Sequence, residues 1–204
     1  MSLDWPSCRN VRDLGGLIRS DNLDQLGPDG LAAFAAAGVS RIVDVRDAWE
    51  CERFPSPFAT DPRWLNVPLN EPGDPSIGSD DLLVQYRALI DNYPHRFGRA
   101  LIAIAEAPPG PVVVACHAGR DRTGLVVALT LAAIGVPAET IAADYAIAPP
   151  HTPASADTML AILAQLDIAD YLVAAGLTSN HLAALRNRLS VGSSHQQAPS
   201  ADAR

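Results

Sequence analysis

The sequence predicts an α/β fold: a central, mainly parallel β-sheet flanked by helices, with a helical C-terminal part. Three observations carry this. Pro111-Val-Val-Val-Ala115 is an unbroken apolar run bounded by Pro-Pro-Gly. Its length and β-branching are those of a strand buried on both faces. Strand-like and helix-like segments alternate as far as residue 135, and helical spacing dominates beyond it, as in a sheet covered by helices. Apolar residues make up 48% of the 204, enough to fill a sizeable core.

The elements follow in order. Asn10-Val-Arg-Asp-Leu-Gly-Gly16 reads as a polar turn leading into a short strand, Leu17-Ile-Arg19, because the double glycine permits a tight bend. Residues 28–37 read as a helix, with Pro28 in the first turn and Gly38 as the stop. Arg41–Val45 and Trp64–Val67 are candidate strands. Asn70–Asp81 is rich in Pro, Gly and acidic residues and reads as a loop. Residues 82–93 and 95–107 show the apolar spacing of helices. After the Pro111–Ala115 strand, residues 116–122 form a loop and 123–135 an apolar helix. Helical patterns then cover residues 137–148, 156–166 and 179–189. Residues 1–190 read as one domain and 191–204 as a flexible tail.

Charge and composition exclude several classes. The net charge of −8 opposes general binding to nucleic acid or anionic membranes. No run reaches the roughly 20 apolar residues of a membrane span, and the N-terminus lacks a leader pattern. Cys8, Cys51 and Cys116 are odd in number and widely spaced, which argues for a reducing cytoplasm rather than a disulfide framework. His95, His151, His181 and His195 read as surface residues. No Cys/His spacing fits a metal site, so neither metal nor cofactor is expected. All 15 basic residues are arginine. An anion site must therefore use guanidinium groups, histidine or backbone N–H groups.

The chemistry concentrates in Cys116-His-Ala-Gly-Arg-Asp-Arg-Thr-Gly124. It sets a cysteine at the end of a buried strand, then a loop, then a helix start. Successive backbone N–H groups and the positive end of a helix converge in such a loop, which suits phosphate. Gly119 lets the backbone curl closely around the anion, and Arg122 can hold two of its oxygens. A free thiol titrates near ~8.5. The field that binds phosphate also favours the thiolate, which can attack phosphorus to give a phosphocysteine for water to hydrolyse.

These residues resemble the signature loop of the cysteine-dependent protein tyrosine phosphatases. More narrowly, the chain is similar to the bacterial members with dual or triple specificity, some of them lipid phosphatases. Their loop is typically His-Cys-x-x-Gly-Lys-Asp-Arg-Thr-Gly. The likeness extends to Asn10–Gly16, Arg19-Ser20, Gly38-Val, Val43-Asp-Val-Arg46 with Glu50, and Asp144-Tyr145, so it covers residues 10 to about 190. It implies a phosphatase-like fold and metal-independent hydrolysis of phosphate monoesters. Phosphotyrosine is the leading substrate, with phosphoserine/threonine and phosphoinositides open. It implies Cys116 as nucleophile and Arg122 as phosphate ligand. His117, Ala118, Gly119, Arg120 and Thr123 complete the phosphate site. Asp121 is the first candidate for general acid, ahead of Glu71 and Asp74. Arg12, Asp13, Asp44 and Arg46 are read as an ion-pair framework supporting the loop, and Asp144 and Tyr145 as packing or support. The family's His before the cysteine is Ala115 here, and Arg120 stands where Lys is usual.

Other readings stay open on the same residues: a catalytically silent module that captures phosphorylated ligands, a sulfurtransferase or arsenate reductase, and an inositol polyphosphatase. Cys116 could also form a protective disulfide with Cys8 or Cys51.

Overall fold

The computed structural model describes residues 2–74, 79–147 and 155–191. His151, His195 and the expected tail from residue 192 onward lie outside the described residues, as do residues 75–78 of the acidic loop.

A five-stranded sheet runs through the molecule. Its strands are β1 (Arg12–Asp13), β2 (Leu17–Ser20), β3 (Arg41–Asp44), β4 (Trp64–Asn66) and β5 (Val112–Ala115), in the order β1-β2-β5-β3-β4. Only β1 runs antiparallel to its neighbour. β5 lies between β2 and β3, its residues Val112–Ala115 paired with Leu17–Ser20 on one side and Arg41–Asp44 on the other. All four of its residues are buried, as the apolar run predicts.

The pleat divides the core in two. Alternate strand residues point to opposite faces. Leu17, Val43, Val112 and Val114 join one cluster, and Ile18, Ile42 and Val113 join the other. The smaller cluster packs under α1 (Pro28–Ala36) through Phe34, with Trp5 and Phe58 against it. The larger lies under α3 (Leu82–Asn92), α4 (Pro94–Ala105), α5 (Asp121–Ala133), α6 (Ala138–Ala146), α7 (Ala156–Ala164), α8 (Ile168–Ala174) and α9 (Ser179–Val191). α5 is buried almost all round, so its sequence is apolar without a polar stripe. No helix among the described residues is long and apolar enough to cross a membrane.

Arg12–Asp13, expected within a polar turn, pairs as β1 with β2, and three helices differ from the sequence reading. α5 begins at Asp121 rather than Thr123, which places Asp121 and Arg122 in a helical first turn. α2 (Ala48–Arg53) is not visible in the sequence because its six residues, Ala-Trp-Glu-Cys-Glu-Arg, are too few to show an apolar stripe. It is fixed instead by its start, where the Glu50 carboxylate accepts from the Asp47 N–H at 2.8 Å. α8 was missed because it is short. Its cap, Asp167, accepts from the Asp170 N–H at 3.0 Å.

Candidate active site

β5 delivers the chain to Cys116, which is 2% exposed at the floor of the loop. The loop's shape is imposed from behind. The Gly119 carbonyl accepts from Arg19 Nη2 at 2.9 Å and from Asn10 Nδ2 at 2.7 Å, and the His117 carbonyl accepts from the Asn22 N–H at 3.3 Å. A trans peptide sets N–H opposite C=O. Anchoring these two carbonyls in the protein therefore turns the N–H groups of Ala118 and Arg120 the other way. Gly119 has φ +64°, and a Cβ there would lie 2.6 Å from the backbone of Ser20 and Asp21. Only glycine fits that turn and that approach together.

Arg122 reaches from the first turn of α5 to α2. Its Nη2 donates to Glu50 Oε1 at 2.9 Å, and its Nη1 donates to Glu50 Oε2 and to Asp47 Oδ1, the latter at 3.1 Å. Its side chain is 17% exposed. Burial works against the charge of Arg122. The hydrogen bond to Glu50 and the charges of Glu50 and Asp47 outweigh burial and hold the guanidinium above its ordinary pKa. Thr123 is fully buried, and no described group hydrogen-bonds its hydroxyl.

Asp121 accepts from Arg120 Nε at 2.9 Å and from the Tyr86 hydroxyl of α3. The Tyr86 and Tyr145 hydroxyls lie 2.7 Å apart, which joins α3, α5 and α6 at the loop. Burial, then Asp121, pushes the Tyr86 phenol well above its usual range, so Tyr86 remains a donor. A cleft of about 560 Å³ opens beside the loop, lined among others by Asp47, Glu71, Asp74, Arg120, Asp121 and Arg122.

The structure brings both alternative acids to this cleft, but each is engaged. Arg96, buried on α4, donates to Asp74 Oδ1 at 2.9 Å and to Asp74 Oδ2, and contacts Glu71 Oε2 at 3.3 Å. Arg99 contacts Glu71 Oε1 at 3.2 Å. The Arg96 hydrogen bond, against weak desolvation, holds Asp74 down at about 2. This contact favours the ionised form of Asp74 and weighs against it as a proton donor; Asp121 is paired in turn with Arg120 at 2.8 Å.

The expected framework of Arg12, Asp13, Asp44 and Arg46 is not one network. Arg12 Nε pairs with Asp144 Oδ1 at 2.9 Å, and Arg19 Nη1 with Asp144 Oδ2 at 2.7 Å. Asp13 accepts from the N–H groups of Gly15 and Gly16 at 3.0 and 2.8 Å, bracing the turn before β2. Arg46 Nη2 pairs with Asp44 Oδ2 at 2.7 Å on the other side of the sheet, where Arg46 Nη1 also reaches Asp24 at 3.3 Å. β2 and β5 separate β1 from β3, a span of roughly 14 Å at ~4.8 Å per strand. The sequence reading gave no role to Asn10, Arg19, Asp47, Glu50, Tyr86 or Arg96. An arginine inside the otherwise buried strand Leu17–Ser20 was the signal available for Arg19.

All three cysteines are free thiols. Burial, with nearby acids, pushes Cys8 up to about 12 and Cys51 up to about 11.

Residues 3–182 match the tyrosine phosphatase family. A Cupriavidus necator protein provisionally named a tyrosine-protein phosphatase is 28% identical, over 82% of this chain and 70% of its own. The triple specificity protein phosphatase PtpB of Mycobacterium tuberculosis is 30% identical, over 70% of this chain and 67% of its own. A tyrosine-protein phosphatase of Nostoc commune is 28% identical over 70% of this chain, which spans about half (51%) of that relative. The crystal structure of P. aeruginosa TpbA covers 86% of this chain and 96% of its own at 18% identity, with a TM-score of 0.47.

Proposed function

Since this chain belongs to the tyrosine phosphatase family, we propose that it hydrolyses phosphotyrosine through a phosphocysteine on Cys116, with Arg122 as phosphate ligand and Asp121 as proton donor. One observation carries the assignment: Cys116 is buried at the floor of a loop whose carbonyls are anchored away from it, with Arg122 in the helical turn that follows. The Cys116 thiolate attacks phosphorus as the P–O bond to the leaving group breaks. The Asp121 proton passes to the leaving oxygen, since an unprotonated alkoxide or phenoxide leaves poorly. Water then attacks the phosphocysteine, Asp121 takes up the proton, and phosphate and thiolate are released. Backbone N–H groups of residues 117–122 and the Arg122 fork hold the phosphoryl oxygens through both steps. Thr123, in the first turn of α5, has its hydroxyl buried with no hydrogen-bond partner among the described residues, which leaves it free to serve as a donor for the departing thiolate.

In this reading residues 1–190 act as one phosphatase domain, supported by a large core running from Leu17 to Leu189. It works in the cytoplasm, where a reducing setting keeps Cys116 free, and needs no metal or cofactor. The test is turnover of para-nitrophenyl phosphate and phosphotyrosine peptide with EDTA, for the wild type beside Cys116→Ser. Phosphoserine peptide and phosphoinositide vesicles serve as comparison substrates. Turnover that survives EDTA and is lost in Cys116→Ser is expected. A folded, reduced wild type that binds phosphopeptide without turning it over would overturn the reading.

A further inference from the structure

Beneath the loop, two arginines share one carboxylate. Arg19 stands on β2 opposite Val114 of β5, one residue short of the pair that precedes Cys116. Its guanidinium, 1% exposed, lies beneath the loop, with Nη2 on the Gly119 carbonyl at 2.9 Å and Nη1 on Asp144 Oδ2 at 2.7 Å. Arg12 takes the other oxygen of the same carboxylate at 2.9 Å. The remaining Arg12 contacts, with Asn10 Oδ1 and the carbonyls of Asp144 and Ile147, are to neutral groups. Two guanidinium groups thus share one carboxylate. Arginine keeps its charge when buried, so the cluster carries an excess of one positive charge.

Arg19 is also incompletely satisfied, because its Nε is buried with no hydrogen-bond partner among the described residues. A buried cation in that state is costly unless something else compensates it. The other charges around the loop lie apart from this cluster: Arg122 faces two carboxylates, Glu50 and Asp47, with His117 near Glu50, Arg120 engages Asp121, and the buried Asp21 carboxylate accepts from the Arg9 N–H and Gln25 Nε2. Among the described residues Asp144 is the carboxylate that pairs with Arg12 and Arg19. Tyr145, the titratable neighbour of Asp144 on α6, is held neutral chiefly by burial. Burial weakens the hold of Arg19 on its proton and Arg12 adds to that effect, while Asp144 opposes it.

We propose that Arg19 is a positioning residue that acts through Cys116, its excess positive charge beneath the loop being the counter-charge of the thiolate. This rests on Cys116 as the nucleophile and adds the means by which its reactive form is held. Asp144 then has a defined part: it neutralises one of the two arginines and so sets how much positive charge the thiol experiences. The Gly119 bond orients the loop by the same contact that places the charge.

Charge and scaffolding make opposite forecasts for two substitutions. The readout is the rate of iodoacetamide alkylation of Cys116 against pH, followed by mass spectrometry on its peptide. Cys8 and Cys51, at about 12 and 11, stay largely unreactive over the range used. In Arg19→Gln the midpoint of the profile moves to higher pH by about one unit, a tenfold loss of thiolate at fixed pH below it. In Asp144→Asn, which removes the neutralising charge, it moves to lower pH. In Arg19→Lys, which keeps the charge and loses the fork, it stays near wild type. Should Arg19→Gln fail to fold, Arg12→Gln takes its place, with a smaller upward movement. Midpoints that move in the same direction in Arg19→Gln and Asp144→Asn, or that do not move, would overturn the proposal. A wild type that alkylates with these shifts yet turns over no phosphate ester would overturn the phosphatase reading and leave this one standing.

Discussion

Glu50 grips Arg122 with both carboxylate oxygens, Oε1 at 2.9 Å from Nη2 and Oε2 against Nη1. The hydrogen bond from Arg122 and that from the Asp47 N–H overcome burial and hold Glu50 below its ordinary pKa, so the pair is ionic at neutral pH. Bidentate contact fixes the plane of the guanidinium, and that plane is what a phosphoryl group must meet. Glu50→Ala leaves Arg122 with Asp47 alone. We expect kcat/KM for phosphotyrosine peptide to fall about 10- to 100-fold, as small misplacements in a reacting geometry do. Glu50→Gln, which keeps one acceptor, should lose less. Steady-state kinetics of the two variants check this, and equal losses would count against an orienting role.

Asp47 gives a pH signature in stability. Burial raises its pKa, Arg122 opposes that shift and Glu50 reinforces it, with a net rise. The folded chain therefore holds this proton more tightly than the unfolded chain, whose value is about 3.9. The contribution of Asp47 to stability is complete below that value and is lost as pH rises through the folded one. Asp47→Asn removes the loss. Its urea midpoint relative to wild type should improve from pH 4 to pH 7, and a difference constant with pH would contradict the assignment.

Asp74 behaves oppositely. Held at about 2 by Arg96, it stabilises the fold at pH above the unfolded value, and that contribution disappears as pH falls through about 2. It stays ionised between about pH 4.5 and 8, where a phosphatase would be assayed. Asp74→Asn should therefore leave the limbs of the pH–rate profile in place. A displaced limb would restore Asp74 as a proton donor.

Tyr86 tests Asp121 by way of leaving groups. The Tyr86 hydroxyl donates to Asp121 Oδ1, fixing the carboxyl that is to deliver the proton. Tyr86→Phe and Asp121→Asn should both slow alkyl phosphates more than para-nitrophenyl phosphate, because a good leaving group needs less protonation. A gap of about tenfold or more between the substrates is expected for Asp121→Asn, within the 10²–10⁴ range of general acid catalysis. Equal slowing of both substrates would remove Asp121 from that role.

Two glycines separate loop geometry from fold stability. Gly119→Ala puts a Cβ 2.6 Å from the Ser20 and Asp21 backbone at φ +64°. Activity should fall by about a hundredfold or more as the cradle opens. Gly98→Ala drives a Cβ to 1.8 Å from the Ala175 carbonyl oxygen where α4 meets α8, away from the loop. It should cost several kcal/mol, ~3 or more, while the fraction that stays folded at low temperature retains its specific activity. Melting curves alongside active-site titration distinguish the two.

By itself the sequence determined the parallel sheet, its central strand and the loop. Each is written in neighbouring residues: the length and β-branching of the apolar run Val112–Ala115 favour a doubly covered strand, and Cys116 to Gly124 carries its spacing within one stretch of chain. What depended on residues far apart was decided by the tertiary structure. Asp74, ranked behind Asp121 and Glu71 as a proton donor, is held by Arg96, and that contact exists only because α4 packs against the loop after β4. The framework around Arg12 and Arg46 looked single until the strand order placed β2 and β5 between its halves. Asn10, Arg19 and Asp144 are distant in sequence from Gly119 and Cys116, yet they assemble behind the loop. Charge–charge energies depend on distance and burial. Residue types alone carry neither, and the fold supplies both.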